Sequence, residues 1–332
     1  MRKINWGILG PGKIASKFAT TLNRLEDAKI HAVASRSIDK ARNFADQYGI
    51  SKAYGSYDEM LDDPDLDVVY IATPHTFHFK QTIMCLNKGI PVLCEKPITI
   101  NSLQLKILTD LAIRNKTFMM QALWTRFLPS ISTTLETIKS GKIGPIKVIE
   151  ADFGFKADYD PYSRLFNPEL GGGSLLDIGI YPLFLSLLLK GYPDTISAVD
   201  VKSSTGTDES VAISLGYRDG AIASLFCTFA ANTGTKASIF CENGQIHLNN
   251  RWFAPASMQI KFNGEDPEDI DFDFTSKTGY EGEATEVMRC INQGLIESPM
   301  LSHDFSMKLM KLLDEIRKIC KIYYPNLEEQ TL

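Results

Sequence analysis

Apolar and polar positions change period along this chain, and the period identifies the elements. Ile4, Trp6 and Ile8 alternate, and Leu9 runs into Gly10-Pro11-Gly12, the pattern of a strand entering a tight turn. Ile14, Phe18, Leu22 and Leu25 then share one helical face with Ala15 and Ala19. Further strands are predicted at 30–34, 67–72, 92–95 and 117–122. Helices fall between them. One is capped by Ser37 and Gly49, one is opened by the capping box Ser56-Tyr57-Asp58-Glu59, and one spans 102–115 with Leu103, Ile107, Leu108, Leu111 and Ala112 on one face. Strand and helix alternate over about the first 120 residues, which predicts a doubly wound parallel sheet.

The second half has a different rhythm. A helix is predicted at 128–140 and a strand at 146–155, and a loop rich in Tyr, Pro and Asp leads to Gly171-Gly172-Gly173. An apolar helix follows, in which Asp177 and Tyr181 share a face and Pro182 predicts a kink. The triple glycine directly precedes that helix and is expected to permit close approach to a ligand. From 196 to 262 short strands alternate, with hairpin pairs Asp219-Gly220 and Asn243-Gly244, so an antiparallel meander is expected. Helices close the chain at 283–292 and 305–323, the latter with Leu309, Leu312, Ile316, Cys320 and Tyr323 inward. The fold class is α/β. Two domains are expected, 1–121 and 122–332.

Composition narrows the function classes. The 332 residues are 44% hydrophobic and 23% charged with net charge −5, which is ordinary for a soluble globular protein. No basic run or basic-aromatic stripe is present, so nucleic acid is not an expected partner. The six cysteines form no C-x-x-C pair and read as reduced thiols. Gly10-Pro11-Gly12 interrupts the first apolar segment, and Gly179 and Pro182 interrupt the longest, so neither a signal peptide nor a membrane span is expected. A cytoplasmic protein is expected. The five histidines form no cluster and the acids at Asp271 and Asp273 lack ligand spacing, so no metal is expected.

The chemistry gathers at strand ends. Ligands of open parallel sheets sit beyond the strands' carboxyl ends. Gly10, Gly12, Lys13, Ile14 and Ala15 make a G-x-G-x-x-A turn between strand and helix, suited to a pyrophosphate at a helix N-terminus. The next strand ends in Ser35-Arg36-Ser37, with Lys40 one turn later and no acid for a ribose 2′-hydroxyl. Two cations and a serine attract a 2′-phosphate, so NADP is expected over NAD. Thr73, Pro74 and His78 follow a third strand on the nicotinamide side. Glu95-Lys96-Pro97 ends the next, where proline stops the strand and aims Lys96 at whatever binds.

Gly10 to Ala15, Thr73-Pro74 with His78, and Glu95-Lys96-Pro97, in that order, resemble the glucose–fructose oxidoreductase / inositol dehydrogenase / MocA-type family. Residues 122–129, residues 171–182, Gly279-Tyr280-Glu281 and Glu297-Ser298-Pro299 are similar to its branch of dimeric dihydrodiol dehydrogenases and NADP-dependent D-xylose dehydrogenases. Tyr181 stands where many members of the wider family carry histidine, and tyrosine is usual in this branch. The resemblance covers nearly the whole chain. It implies a Rossmann domain, an α/β domain with a large, mostly antiparallel sheet, and a homodimer through that sheet.

With the resemblance, the expected activity is hydride transfer between NADP and a secondary alcohol or carbonyl of a sugar or cyclic diol. Lys96, Tyr181 and Asp177 are the expected catalytic residues, with Glu95 and Lys96 beside the cofactor and Trp124 and Arg126 lining the substrate pocket. An unperturbed tyrosine, at about 10, is a poor base at neutral pH, and a nearby ammonium stabilises its phenolate. The alternative is a non-catalytic nucleotide-binding sensor on the same scaffold, which has no need of Lys96 and Tyr181.

Overall fold

The computed structural model describes residues 2–275 and 277–328, and the chain packs as two compact units. The first holds Met1–Trp124 with Thr275–Met307, and the second holds Thr125–Phe274 with Lys308–Leu332. The first break falls after Trp124. Residues 275–307, however, pack with the first unit.

The first unit opens with β1 (Ile4–Leu9), α1 (Lys13–Leu22), β2 (Ala28–Ala34), α2 (Ile38–Tyr48), β3 (Lys52–Tyr54) and α3 (Tyr57–Leu61). It continues with β4 (Val68–Ile71), α4 (His78–Asn87), β5 (Val92–Glu95), α5 (Ser102–Asn115) and β6 (Met119–Ala122). The six strands are parallel in the order β3-β2-β1-β4-β5-β6. This order places a switch point between β1 and β4. β4 and β5 are buried throughout, as helices on both faces of a parallel sheet require. The predicted stripe of α1 is its buried side, where Phe18 stacks on Tyr70 of β4 with ring centroids 3.9 Å apart. β3 escapes the sequence pattern because it is a three-residue edge strand of half-buried residues.

Ser37 caps α2 by accepting from Lys40 N at 3.4 Å, and Gly49 closes that helix at φ 69°. The capping box expected at Ser56 does not form. Its side chain makes no cap bond, and Met60 N bonds the Ser56 carbonyl instead at 3.4 Å. All six cysteines are free, and only Cys241 is not fully buried. His31, Asp63 and Asp65 do converge as possible metal ligands. The Lys52 ammonium already lies against both carboxylates there, 2.9 Å from Asp63 and 3.4 Å from Asp65. Burial alone would raise the pKa of Asp63, but hydrogen bonds from Lys52, Tyr54, the Asp65 backbone and His31 hold it well below the usual range.

In the second unit α6 (Pro129–Lys139) leads to β7 (Ile146–Gly154). A π-helical turn at Leu175–Gly179 then continues into α7 (Ile180–Lys190). Strands β8 (Thr195–Lys202), β9 (Asp208–Gly216), β10 (Ile222–Thr228), β11 (Ala237–Cys241), β12 (Gly244–Leu248), β13 (Met258–Phe262) and β14 (Glu268–Ile270) follow. They join β7 in one sheet ordered β14-β13-β12-β11-β7-β10-β9-β8. The single meander expected is therefore two meanders flanking β7, which pairs parallel with β10 and antiparallel with β11. Each meander ends in an edge whose backbone groups need a partner, and β7 satisfies both.

α7 packs on one face of this sheet, against β7 and β10. On the other face Val199, Val201, Ile222 and Phe226 are 71%, 59%, 53% and 42% exposed. Residues Pro168–Lys190 are long and apolar enough to cross a membrane, contrary to the expected length limit, but 89% of that apolar window is buried. Burial all round marks a core helix. Pro182 explains the wide turn before α7. Its ring would crowd the carbonyl four residues back in a regular helix, and a π-turn relieves that crowding.

The chain returns to the first unit through α8 (Glu281–Asn292), and α9 (His303–Ile319) runs on into the second. Within the first unit Met119 at the β6 edge donates its N–H to Ile296 O at 3.0 Å, and its carbonyl lies 2.9 Å from His303 Nε2. Leu309, Leu312 and Ile316 are buried as expected, but Tyr323 is not. α9 ends at Ile319, and Lys321 turns the chain at φ 50° before Tyr323 is reached.

Candidate functional site

In the first unit one groove collects residues from four strand ends. Gly10 follows β1 at φ +92°, and a Cβ built there would lie 2.6 Å from Thr73 Cγ2. Only glycine lets the β1 turn and the β4 loop approach so closely. Gly12 caps α1 without a side-chain bond, and a Cβ there would meet nothing within 4 Å. The open side of α1's N-terminus therefore faces the groove, a favourable place for phosphate oxygens.

The groove encloses about 280 Å³ and is lined by Gly10, Gly12, Ser35, Arg36, Lys40, Thr73 and Pro74, together with Tyr57, Phe77 and Gln81. Lys13 and Ile14 open α1 just beyond the lining residues. Among the described residues no acid lines it, while Arg36 and Lys40 do. Arg36 lies 5.5 Å above the Phe77 ring, a cation–π contact that holds the guanidinium at the rim. The Tyr57 phenol, raised in pKa by burial, is opposed in this by the charge and hydrogen bond of Arg36. Thr73 donates to Gln81 Oε1 at 2.5 Å, which ties the β4 loop to α4.

Glu95 and Lys96 close β5. Glu95 Oε1 accepts from Tyr70 Oη at 2.6 Å, and Oε2 accepts from Lys96 N at 3.1 Å. This buried carboxylate therefore braces the strand end that carries Lys96. His78 was expected on the cofactor side, and it is a staple. Its Nδ1 lies 2.8 Å from Pro97 O and its Nε2 lies 2.8 Å from Thr73 O. Burial pulls its pKa down to about 4, against the raising effect of those carbonyls. A neutral ring carries one N–H, so it donates to one of these two carbonyls while packed between the two loops.

In the second unit the helical run from Ser174 presents the other expected residues. Asp177 lies in the π-turn and Tyr181 in the first turn of α7, both buried. Asp177 Oδ2 forms an ion pair at 3.0 Å with Arg164 Nη1, from the loop that follows β7. Tyr181 sits 5.6 Å from Phe153 and 5.1 Å from Phe253 by ring centroids, and those two phenylalanines stack at 3.9 Å. Thr125 donates to Phe253 O at 2.6 Å and holds that loop. Arg126 is half-buried in the second unit, whereas Trp124 belongs to the first and stacks on Tyr280 at 4.3 Å, 8° from parallel.

The triple glycine serves a different purpose from the one expected. A Cβ on Gly172 would lie 2.8 Å from Leu165 O, and one on Gly173 would lie 2.2 Å from Asp208 Oδ1. Protein atoms approach these glycines closely. Arg164, Phe153, Phe253 and Tyr57 were missed by sequence reasoning. Tyr57 carried no signal either, because the strand before it is the short β3 that escapes the sequence pattern.

Two family models match the chain. One, described as an oxidoreductase family with an NAD-binding Rossmann fold, covers residues 4–122, and the other, the GFO/IDH/MocA C-terminal domain, covers residues 131–247. A trans-1,2-dihydrobenzene-1,2-diol dehydrogenase from Bos taurus is 35% identical over 97% of this chain and 98% of its own. An aldose-aldose oxidoreductase from Caulobacter crescentus, complexed with glycerol, shares the fold at TM-score 0.88 and 23% identity, covering 96% of this chain and 98% of that one. A 3-ketoreductase from Actinomadura kijaniata, in complex with NADP and TDP-benzene, does so at TM-score 0.85 and 22% identity, with the same coverage.

Proposed function

This chain belongs to the GFO/IDH/MocA oxidoreductase family, and from that premise we propose that it is an NADP-dependent dehydrogenase of a secondary alcohol in a cyclic diol or sugar. The observation that carries the reading is the groove of the first unit, which brings Ser35, Arg36 and Lys40 to one rim and holds no acid. A 2′-phosphate fits that rim, and a free 2′-hydroxyl lacks its usual acceptor there. The NADP+/NADPH couple would supply the hydride acceptor or donor when bound in that groove. The chain's own residues manage the proton: Tyr181 exchanges it with the substrate oxygen, Lys96 brings a positive charge that favours the anionic form of a reacting oxygen, and Asp177 orients a neighbouring hydroxyl. The aromatic faces of Phe153 and Phe253 beside Tyr181 suit one side of a ring substrate.

The test is a turnover panel. NADP reduction is measured with trans-cyclic diols and aldoses, and NADPH oxidation with the matching diketones. Turnover of at least one ring diol or sugar, faster with NADP than NAD, is expected. Tight NADPH binding with no turnover on any compound would favour the sensor reading.

The exposed face of the second unit's sheet is the proposed dimer surface. Val199, Ala212 and Phe226 lie side by side across β8, β9 and β10 in register, forming a partly apolar row on an open sheet. A homodimer in sedimentation at micromolar concentration is expected, and a species of monomer mass alone would overturn it.

A further inference from the structure

We propose that Asp208 is a positioning residue for catalysis, setting the first turn of the helical run that presents Asp177 and Tyr181. This rests on the functional reading above. Asp208 opens β9 and is fully buried. Its Oδ2 accepts from Leu175 N at 2.6 Å and from Ser174 Oγ at 3.1 Å. Those two residues begin the run that holds Asp177 two positions later and Tyr181 one turn beyond. A carboxylate at a helix N-terminus bonds the otherwise unpaired donors and faces the positive end of the dipole. Any change in its charge or place therefore reaches Asp177 and Tyr181 through the backbone.

The surroundings are shaped to bring this carboxylate in. Gly173 has φ +137°, and a Cβ there would lie 2.2 Å from Asp208 Oδ1 and 2.9 Å from the Tyr324 hydroxyl. Tyr324 Oη donates to Gly172 O at 2.7 Å and so pins the glycine turn from the other side. Asp208 Oδ1 has no hydrogen-bond partner among the described residues. The hydrogen bonds on this carboxylate therefore come from the start of the helix and from its own backbone.

The charged and titratable groups around it come from four segments. Lys202 of β8 attracts it, although Lys202 Nζ also lies 2.7 Å from Asp200 Oδ2. Cys227 of β10 reaches Ser174 Oγ at 3.5 Å. Cys320 and Tyr324 approach from the end of the chain, with Arg317 4.9 Å over the Tyr324 ring. Burial pushes the Asp208 carboxyl up to about 6, while the bonds from Leu175 and Ser174 and the field of Lys202 pull it down. The thiols and the phenol are pushed up by burial and stay neutral near pH 6. Asp208 is thus the group of this cluster that changes charge near that pH. Protonation weakens its hold on the helix start.

The experiment compares wild type, Asp208→Asn and Tyr181→Phe on the best panel substrate between about pH 5 and 9. Asparagine keeps the size and one acceptor and loses the charge. NADPH binding, followed by cofactor fluorescence, is expected to be unchanged, because the nucleotide groove belongs to the first unit. Turnover of Asp208→Asn is expected to fall about 10- to 100-fold with a smaller change in KM, the size of effect a misplaced catalytic group produces. The wild-type acid limb near pH 6 should be absent from its kcat profile. If that variant fails to fold, Ser174→Ala gives the second measurement. Loss of one bond to the ionised form should move the acid limb upward, and an unmoved limb overturns the proposal. An active wild type, an inactive Tyr181→Phe and an Asp208→Asn with normal turnover and an intact limb overturn this proposal alone. Normal turnover in Tyr181→Phe overturns the functional reading beneath it as well.

Discussion

Replacing Tyr181 by phenylalanine is expected to lower turnover by about 100- to 10,000-fold and to leave NADPH binding intact. The substitution keeps the ring, and with it the packing against Phe153 and Phe253. It removes only the hydroxyl. An interaction made chiefly in the transition state affects kcat more than KM, and acid–base contributions of this size correspond to roughly 3–5 kcal/mol. Lys96→Met keeps much of the stem and removes the charge, and a loss of similar size is expected. The double variant should lose far less than the product of the two, because groups that serve one proton transfer are not additive. Cofactor binding is the control: it depends on the Gly10–Gly12 turn and the groove around it. Near-normal kcat for Tyr181→Phe across the pH range would return Tyr181 to the role of a core aromatic.

The second large effect concerns cofactor choice. Arg36→Ala is expected to weaken NADPH binding about tenfold or more, and Arg36→Ala with Lys40→Ala further, while NADH binding changes little. Arg36 is held above Phe77 at 5.5 Å and interacts with Tyr57, so its guanidinium is placed at the rim before any phosphate arrives. That preorganisation is why replacing one exposed arginine is expected to cost so much. Titration of each variant with both cofactors decides it. Equal losses for NADPH and NADH would show that the 2′-phosphate lies elsewhere.

The parts of this protein legible in its sequence are those built from local pattern. The strand–glycine–helix turn at Gly10, the helix cap at Ser37 and the 14 residues of α5 follow from spacing and from residue types that favour one conformation. Arg36 and Lys40 could be placed because a strand end fixes where a ligand lies. Residues that converge through tertiary structure gave no such sign. Phe77 meets Arg36 across the groove, and Arg164 reaches Asp177 from a loop without period. Asp208 drew no reading from the sequence, since its partner Leu175 lies 33 positions earlier. The central place of β7 was hidden for the same reason. Alternation predicts that a strand exists and which face is buried, but it does not say which strand is its neighbour. His78 differs again: position places it at a strand end, and only the structure shows the two carbonyls of separate loops beside its ring.

The return of Thr275–Met307 to the first unit sets an order on synthesis. A nascent chain that has just cleared residue 124 holds all six parallel strands, yet it lacks Ile296 and His303 to pair Met119, and Tyr280 to cover Trp124. The β6 edge therefore stays open while more than 170 further residues leave the ribosome (from 124 to Ile296), a span of roughly 10–35 seconds at ordinary elongation rates. During that interval the unfinished sheet presents an unpaired strand edge and an uncovered indole, the kind of surface that chaperones hold. A fragment cut at the apparent end of the nucleotide domain would be stalled at that stage permanently.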